Sequence, residues 1–337
     1  MEDSAKISAR MEINMGKTVF MFPGQGAQYI GMAKDFYDAI PECREVFEEA
    51  SEASGLDIAA LCFEENDKIN ITEYTQICML TAEAAILRAL EVKGYKADVT
   101  AGLSLGEYGA LIACGALSRK DAFALVRKRG IYMQEAVPEG GAMAAVLALD
   151  TAQIEEACKK TEGIVSIANY NCPGQIVITG EEKAVAAAGE LCKEAGADAV
   201  EAASEALKEA GAKRCIPLKV SGPFHSAMLK GAGEKLGEEL KHVTVHTPAI
   251  PYVANVTADY VTKEEEIKPL LEKQVSSSVR WQQTIERLIA DGADKFVEIG
   301  PGKTLTGFMR KINRDVAAVN IDKYEDFEKF VAESKNK

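Results

Sequence analysis

The chain has 337 residues, of which 47% are hydrophobic and 27% are charged, a composition that predicts a globular protein with a large core. Its formal net charge of −13 argues against nucleic acid as a ligand. The eight cysteines are scattered without a Cys-x-x-Cys pair, which indicates a reducing compartment and excludes a disulfide framework or a cysteine zinc site. Residues 1–16 lack the apolar core of a signal peptide, and no apolar run is long enough to span a bilayer. We therefore expect a cytoplasmic protein without membrane contact, in which residues 1–16 are an N-terminal extension.

The first part of the chain alternates predicted strands and helices. Apolar runs over residues 18–22 and 97–101 have the pattern of buried strands. Helical patterns cover residues 41–54, 73–93, 107–114 and 118–136, the last opened by a capping box at Ser118. This alternation predicts a parallel sheet covered by helices on both faces.

The pattern changes near residue 138. Strands are predicted over residues 142–149, 164–169, 175–180 and 215–220, with a helix capped by Thr151 and alanine-rich helices, including one over 197–210, between them. This order predicts a small split-βαβ unit with an antiparallel sheet. We place it at residues 141–218, inserted into a large unit formed by 17–140 and 219–325, with a C-terminal tail at 326–337.

After residue 225 the chain returns to the large unit. Strands are predicted over residues 250–254 and 295–299, and a helix over residues 281–290. A Gly-Pro-Gly-Lys turn at residues 300–303 leads into a further helix.

A nucleophile elbow, Gly102-Leu103-Ser104-Leu105-Gly106, lies between a predicted strand and a predicted helix. In this context the turn exposes the serine hydroxyl and directs the N–H of Leu105 at an oxyanion. Taken alone, the pattern is also compatible with a glycine-rich turn that contains an incidental serine.

A base for this serine has few candidates, because the chain contains only three histidines. His242 and His246 lie in a polar stretch, whereas His225 lies in a turn that leads into a helix. We therefore predict that His225 activates Ser104, although an ordinary loop histidine is the alternative. If the pKa of His225 keeps its ordinary value of about 6.5, activity should decline as the solution is acidified through that pH.

Six motifs in one order resemble the malonyl-CoA:acyl carrier protein transacylase family of bacterial fatty-acid synthesis. They occupy residues 22–28, 102–107, 127–134, 169–174, 223–225 and 300–303. The resemblance covers about residues 15–322. It implies a large α/β-hydrolase-like subdomain with a parallel sheet and a small inserted ferredoxin-like subdomain.

The resemblance also implies catalytic roles for particular residues. Ser104 matches the nucleophile and His225 its base, and the backbone N–H groups of Gln25 and Leu105 match the oxyanion hole. Gln274 matches a residue whose backbone carbonyl orients the histidine.

Three further residues match positions that bind the substrate. Asn171 lines the cleft, and Phe224 gives an apolar wall beside the acyl group. Arg129 matches the arginine that holds the malonyl carboxylate, for which a planar guanidinium is suited because it donates two parallel N–H bonds. Without the resemblance, a solvated helix charge would be the simpler interpretation of Arg129.

The expected reaction is a two-step transfer of malonyl from malonyl-CoA through a seryl ester to acyl carrier protein. We expect no bound cofactor and no metal, a transient acidic carrier as partner, and a monomer. A serine hydrolase or thioesterase, a discrete polyketide acyltransferase and a noncatalytic interaction protein are the alternatives.

Two departures from the family pattern concern shape and docking. Leu103 replaces a histidine that is common before the nucleophile, and the helical stretch over residues 197–210 is longer than usual. This stretch contains much of the second copy of a Lys-Glu-Ala-Gly-Ala repeat, which occurs at residues 193–197 and 208–212. An acidic carrier requires a basic surface, for which the candidates are Lys213, Arg214, Lys219, Lys273, Arg280 and Arg287.

Overall fold

Ten strands form two separate sheets in the computed structural model, which describes residues 16–195, 199–202 and 222–334. In chain order the strands are Lys17–Phe22 (β1), Val99–Gly102 (β2), Gly141–Leu147 (β3), Val165–Cys172 (β4), Gln175–Glu181 (β5), Ala199–Ala202 (β6), Tyr252–Ala254 (β7), Asp259–Val261 (β8), Ala293–Ile299 (β9) and Ala317–Ile321 (β10).

Six strands form the large sheet, in the order β10-β9-β1-β2-β7-β8. All neighbouring pairs are parallel except β7 and β8, which are antiparallel. The central strand β1 is apolar and buried from Val19 onward, because helices cover both faces of the sheet. The predicted parallel sheet is confirmed.

Thirteen α-helices lie in the described ranges. They are Lys34–Ala39 (α1), Pro41–Ser54 (α2), Ile58–Phe63 (α3), Thr72–Val92 (α4), Gly106–Ala113 (α5), Arg119–Ala136 (α6), Thr151–Lys160 (α7), Glu182–Glu194 (α8), Lys230–Leu240 (α9), Glu264–Gln274 (α10), Trp281–Ala290 (α11), Thr304–Ile312 (α12) and Tyr324–Ser334 (α13). Short 3₁₀ turns lie at Lys68–Asn70 and Ala227–Leu229. No helix of the described part is long and apolar enough to cross a membrane.

Local capping signals account for the helix ends that the sequence predicts well. Helix α2 begins at Pro41 and ends before Gly55, which adopts the left-handed conformation at φ 70°. Helix α6 begins after Ser118, whose hydroxyl accepts the N–H of Asp121 at 3.0 Å. The cap of α7 is Asp150 rather than the predicted Thr151, which is the first residue of that helix.

Four strands form the small antiparallel sheet, in the order β4-β5-β3-β6. With α7 and α8 between its strands, this is the ferredoxin-like order. The fourth strand is Ala199–Ala202, so the helix predicted over this stretch is wrong there. The strand predicted over residues 215–220 lies outside the described residues.

The small sheet is joined to the large unit through its edge strand β4. Val279 donates its N–H to the carbonyl of Ala168 at 2.7 Å and accepts the N–H of Tyr170 at 2.9 Å. At the other end of the chain, Phe327 and Phe330 of helix α13 are buried. The predicted start of a tail at residue 326 falls inside this helix, and the proposed subdomain boundaries stay predictions.

The parallel strands place their carboxyl ends along one edge of the large sheet. Strand β1 ends before Pro23, β2 ends at Gly102, the first residue of the elbow, β7 ends before Asn255, and β9 ends before Gly300. Ligands of open parallel sheets bind at this edge, so the fold itself indicates where a site belongs.

Candidate active site

The turn between β2 and α5 is a nucleophile elbow in its geometry as well as in its sequence. Ser104 has φ 54°, in the left-handed region that a non-glycine residue seldom adopts. A Cβ on Gly102 would lie 1.9 Å from the carbonyl oxygen of Gly106, and one on Gly106 would lie 2.1 Å from that of Phe22. The helix therefore approaches the sheet so closely that only glycine fits at both positions.

Asn255, directly after β7, holds the strained turn in place. Its Oδ1 accepts the N–H of Ser104 at 2.6 Å, and its Nδ2 donates to the carbonyl of Gly102. This residue was not predicted from the sequence. Its position at the carboxyl end of a predicted parallel strand is the signal that could have indicated it.

Ser104 and His225 form a hydrogen-bonded pair. The Ser104 Oγ lies 2.7 Å from Nε2 of His225, and Nδ1 of His225 lies 2.9 Å from the backbone carbonyl of Gln274. Because a carbonyl oxygen only accepts, Nδ1 carries the ring proton and Nε2 accepts from the serine hydroxyl. This arrangement can remove the hydroxyl proton during attack on a carbonyl.

The environment of His225 keeps its ring neutral. Burial, followed by the charge of Arg129, lowers the pKa of His225 to about 4, although hydrogen bonds to the carbonyls of Gln274 and Ser277 oppose the shift. The pKa of His225 therefore lies below the ordinary histidine value of about 6.5. A base with a lowered pKa is present in its reactive form at neutral pH.

Arg129 lies beneath the nucleophile with only 1% of its surface exposed, so it is not a solvated helix charge. Its Nη1 donates to Oε1 of Gln76 at 2.6 Å. Its Nη2 donates to Oε1 of Gln274 at 3.0 Å and to the Ser104 hydroxyl at 3.2 Å. These acceptors are all neutral, and Nε has no partner among the described residues. The guanidinium is thus held beside the serine with unused capacity for an anion.

One cavity of about 600 Å³ opens above the serine. Ser104, His225, Gln25 and Leu105 line it, and neither backbone N–H of the last two donates to another described residue. The small sheet and the histidine turn complete the walls with Met143, Asn169, Asn171, Val177 and Phe224. The structure therefore brings six of the predicted residues around one cavity, while Arg129 and Gln274 contact Ser104 through hydrogen bonds.

Comparison with known proteins gives the family. The model of the acyl transferase domain matches residues 19–325. A malonyl CoA-acyl carrier protein transacylase of Bacillus subtilis (strain 168) is 44% identical over 319 residues, which are 93% of this chain and 96% of the relative. The chain belongs to the malonyl-CoA:acyl carrier protein transacylase family. It is an acyltransferase with the fold of that family.

Solved structures agree with this assignment to the transacylase family. A malonyl CoA-acyl carrier protein transacylase from Clostridium perfringens superposes with a TM-score of 0.87 at 42% identity, covering 95% of this chain and 98% of its own. A second structure is a malonyl-transacylase in complex with a type II PKS acyl-carrier protein. Its TM-score is 0.87 at 38% identity, and 94% of this chain and 99% of the other are covered.

The surroundings of the histidine distinguish this acyltransferase from a hydrolase triad. The Nδ1 partner is a backbone carbonyl, where a hydrolase would place a carboxylate. Within the described ranges, no group of three or more His, Cys, Asp or Glu side chains is arranged to hold a metal ion.

The basic residues predicted to receive a carrier fall into three groups. Lys213, Arg214 and Lys219 lie outside the described residues. Lys273 and Arg280 are exposed, and Arg280 packs over the ring of Tyr170. Arg287 pairs with Asp259 at 3.4 Å and with Asp291 at 2.9 Å, so its charge is already matched.

Proposed function

We propose that this acyltransferase moves the malonyl group of malonyl-CoA to the phosphopantetheine thiol of an acyl carrier protein, in cytoplasmic fatty-acid biosynthesis. The observation that carries the proposal is the buried guanidinium of Arg129, which donates to the hydroxyl of Ser104 and has no carboxylate partner among the described residues. A malonyl group supplies that carboxylate, and an acetyl group does not.

The first half-reaction forms an ester on Ser104. Its Oγ attacks the thioester carbonyl of malonyl-CoA while Nε2 of His225 takes the hydroxyl proton. The N–H groups of Gln25 and Leu105 donate to the oxyanion of the tetrahedral intermediate. The C–S bond then breaks, and the coenzyme A thiolate leaves with the proton that His225 returns.

The second half-reaction runs the same chemistry in reverse. Nε2 of His225 takes the proton of the carrier thiol, and the sulfur attacks the seryl ester. The oxyanion forms at the same two N–H groups. The ester C–O bond breaks, Ser104 regains its proton, and the malonyl thioester leaves on the carrier.

Arg129 is proposed to bind the distal carboxylate throughout. Its Nη2 has two acceptors in the free site, the side-chain Oε1 of Gln274 and the Ser104 hydroxyl. A bidentate carboxylate would satisfy a buried cation far better than these neutral oxygens do. Because an acetyl group cannot accept these hydrogen bonds from Arg129, the site should favour malonyl over acetyl at the acylation step.

Mass spectrometry of the intact protein tests the proposal. Incubation with malonyl-CoA and no carrier should give one malonyl addition on Ser104, absent in Ser104→Ala. The seven described cysteines are buried or half-buried, so labelling of a cysteine instead would contradict the assignment. Steady release of free malonate without carrier would favour the hydrolase alternative, whereas discharge only upon addition of carrier thiol supports the transferase.

We also propose a docking surface for the carrier on helix α12. Residues 300–314 contain four basic residues and no acidic one, and Lys303, Arg310, Lys311 and Arg314 are all exposed. The same helix places Thr304 and Phe308 on the cavity wall. Lys311 also donates to Oε1 of Gln175, another wall residue, at 3.1 Å. An acidic carrier bound here would hold its prosthetic arm at the cavity opening.

A further inference from the structure

A buried carboxyl group lies under the nucleophile and takes no part in the reaction described above. Glu107 is in the first turn of α5 and is 1% exposed. Its Oε2 accepts the Nε2–H of Gln274 at 2.8 Å and the backbone N–H of Asn255 at 3.2 Å. Its Oε1 has no partner among the described residues. The carboxyl group thus contacts two residues that themselves contact Ser104.

The Gln274 amide has a definite orientation, which its neighbours determine. Its Nε2 donates one hydrogen to the carbonyl of Ser104 at 2.8 Å and the other to Glu107. Its Oε1 faces the guanidinium of Arg129. Rotation of the amide by half a turn would set its oxygen against two acceptors and its NH₂ against a cation. Glu107 therefore opposes that rotation.

We propose that Glu107 is a positioning residue, which fixes the Gln274 amide so that Gln274 anchors Arg129 beside Ser104 and so sets the preference for a carboxylate-bearing acyl group. This inference rests on the proposed malonyl transfer. Nη2 of Arg129 is shared between Gln274 and Ser104, while Nη1 is held by Gln76. Displacement of Gln274 would therefore let the guanidinium turn about its bond to Gln76, away from the reacting hydroxyl.

The positioning role does not depend on the charge of Glu107. Burial raises the pKa of Glu107 to about 7, and the hydrogen bonds from Gln274 and Asn255 and the charge of Arg129 limit the rise. When the group is protonated, the proton resides on Oε1, because Oε2 already accepts two N–H bonds. Oε2 thus remains an acceptor in both forms, and glutamine at position 107 can supply the same acceptor.

The test compares variants at positions 107 and 274 by the rates at which malonyl-CoA and acetyl-CoA acylate Ser104. Glu107→Met keeps the volume and removes the acceptor. It should lower the malonyl rate by about 10- to 100-fold and the acetyl rate much less. Glu107→Gln should stay within about threefold of the wild type for both donors. Gln274→Met, which leaves the backbone carbonyl for His225, should resemble Glu107→Met.

The double variant Glu107→Met/Gln274→Met gives the decisive comparison. If Glu107 acts through Gln274, the double variant should be no slower than Gln274→Met alone. Additive losses, equal losses for both acyl donors, or a failure of Glu107→Gln to retain selectivity would each overturn the role. If Glu107→Met does not fold, Gln274→Met and Glu107→Gln are compared instead: a selective loss of the malonyl rate in the first with retained selectivity in the second supports the role, and any other pair of results overturns it. An unacylated wild-type enzyme would instead contradict the proposed function itself.

Discussion

Burial lowers the pKa of two side chains in this site, His225 and Arg129. His225 has no carboxylate partner in the described part of the chain, and its lowered pKa follows from burial and from the neighbouring cation. Arg129 is buried as well, and burial lowers its pKa from the ordinary value. A substrate that brings negative charge into the cavity would therefore stabilise the protonated form of each group.

The pH dependence of seryl acylation should follow the lowered pKa of His225. With a pKa of about 4, the neutral base persists at pH 5.5, and the single-turnover rate there should stay near its plateau. An unperturbed histidine would lose roughly 90% of that rate. Because the folded pKa lies below the unfolded one, this group also lowers stability as pH falls from about 6.5 toward 4. Circular dichroism at each pH must therefore show folded protein, and a tenfold decline at pH 5.5 in folded enzyme would contradict the assignment.

Selectivity between acyl groups should depend on Arg129. Arg129→Ala should slow malonyl acylation by at least about 30-fold, because it removes the cation proposed to pair with the malonyl carboxylate, while acetyl acylation holds or rises. Arg129→Lys should restore little, since an ammonium group lacks the planar fork. Arg127→Ala is the matched control, because Arg127 lies on the same helix but does not contact Ser104. Its guanidinium pairs with the carboxylate of Glu73 at 2.9 Å. Equal losses for both acyl groups would make Arg129 merely structural.

The elements at the carboxyl edge of the sheet are held by close backbone packing rather than by large side chains. The elbow can form because Gly102 and Gly106 have no Cβ, which allows α5 to approach β1 and β2 closely. This proximity places the Leu105 N–H and the β1 loop around the same cavity. The chemistry at Ser104 is thus a consequence of how two elements pack.

Gly106→Ala should disrupt this packing. The new Cβ would lie 2.1 Å from the carbonyl oxygen of Phe22, and a backbone atom must move to relieve the contact. We expect a loss of at least about 3 kcal/mol in the free energy of unfolding, measured by chemical denaturation. Gly307→Ala in α12 is the control, since nothing lies within 4 Å of its added Cβ. That variant should gain about 0.5–1 kcal/mol, and comparable effects at both positions would refute the packing argument.

Elements that local sequence signals determine were predictable, whereas an element that depends on contacts between distant residues was not. The bounds of α2 and α11 were predicted correctly because proline, glycine and a clear apolar periodicity determine them. The strand Ala199–Ala202 was predicted as helix because its alanines favour helices in isolation. Its pairing with β3, which no local pattern reveals, overrides that preference.

The residues of the candidate site also differ in whether local sequence or distant contacts determine their role. Ser104 has a local motif, whereas the burial of Arg129, the side chain of Gln274 and the contact of Asn255 with the elbow depend on residues distant in sequence. The resemblance to a known family supplied the first two positions. It assigned no role to Asn255 or to Glu107, because neither contact is visible in the order of residues along the chain.

At the scale of the whole molecule, two units must present one cavity to a large partner. The edge strand β4 is tied to Val279 by backbone hydrogen bonds, which fixes Asn169 and Asn171 opposite Ser104. Helix α12 completes the wall and carries positive charge on a chain whose formal net charge is −13. An acidic carrier would therefore be repelled by most of the surface and attracted to this helix.

Charge reversal should show which surface receives the carrier. Lys303→Glu/Lys311→Glu should raise the KM for carrier protein by at least about fivefold and leave seryl acylation by malonyl-CoA nearly intact, because these exposed ammonium groups take no part in the proposed chemistry at Ser104. Added salt should weaken transfer in the wild type and have less effect in the variant. Lys93→Glu/Lys96→Glu is the control, since it changes the net charge equally in the exposed loop before β2, at the opposite edge of the sheet. If Lys273→Glu/Arg280→Glu raised the carrier KM and the α12 variant did not, docking would use the surface near Gln274 that the sequence first indicated.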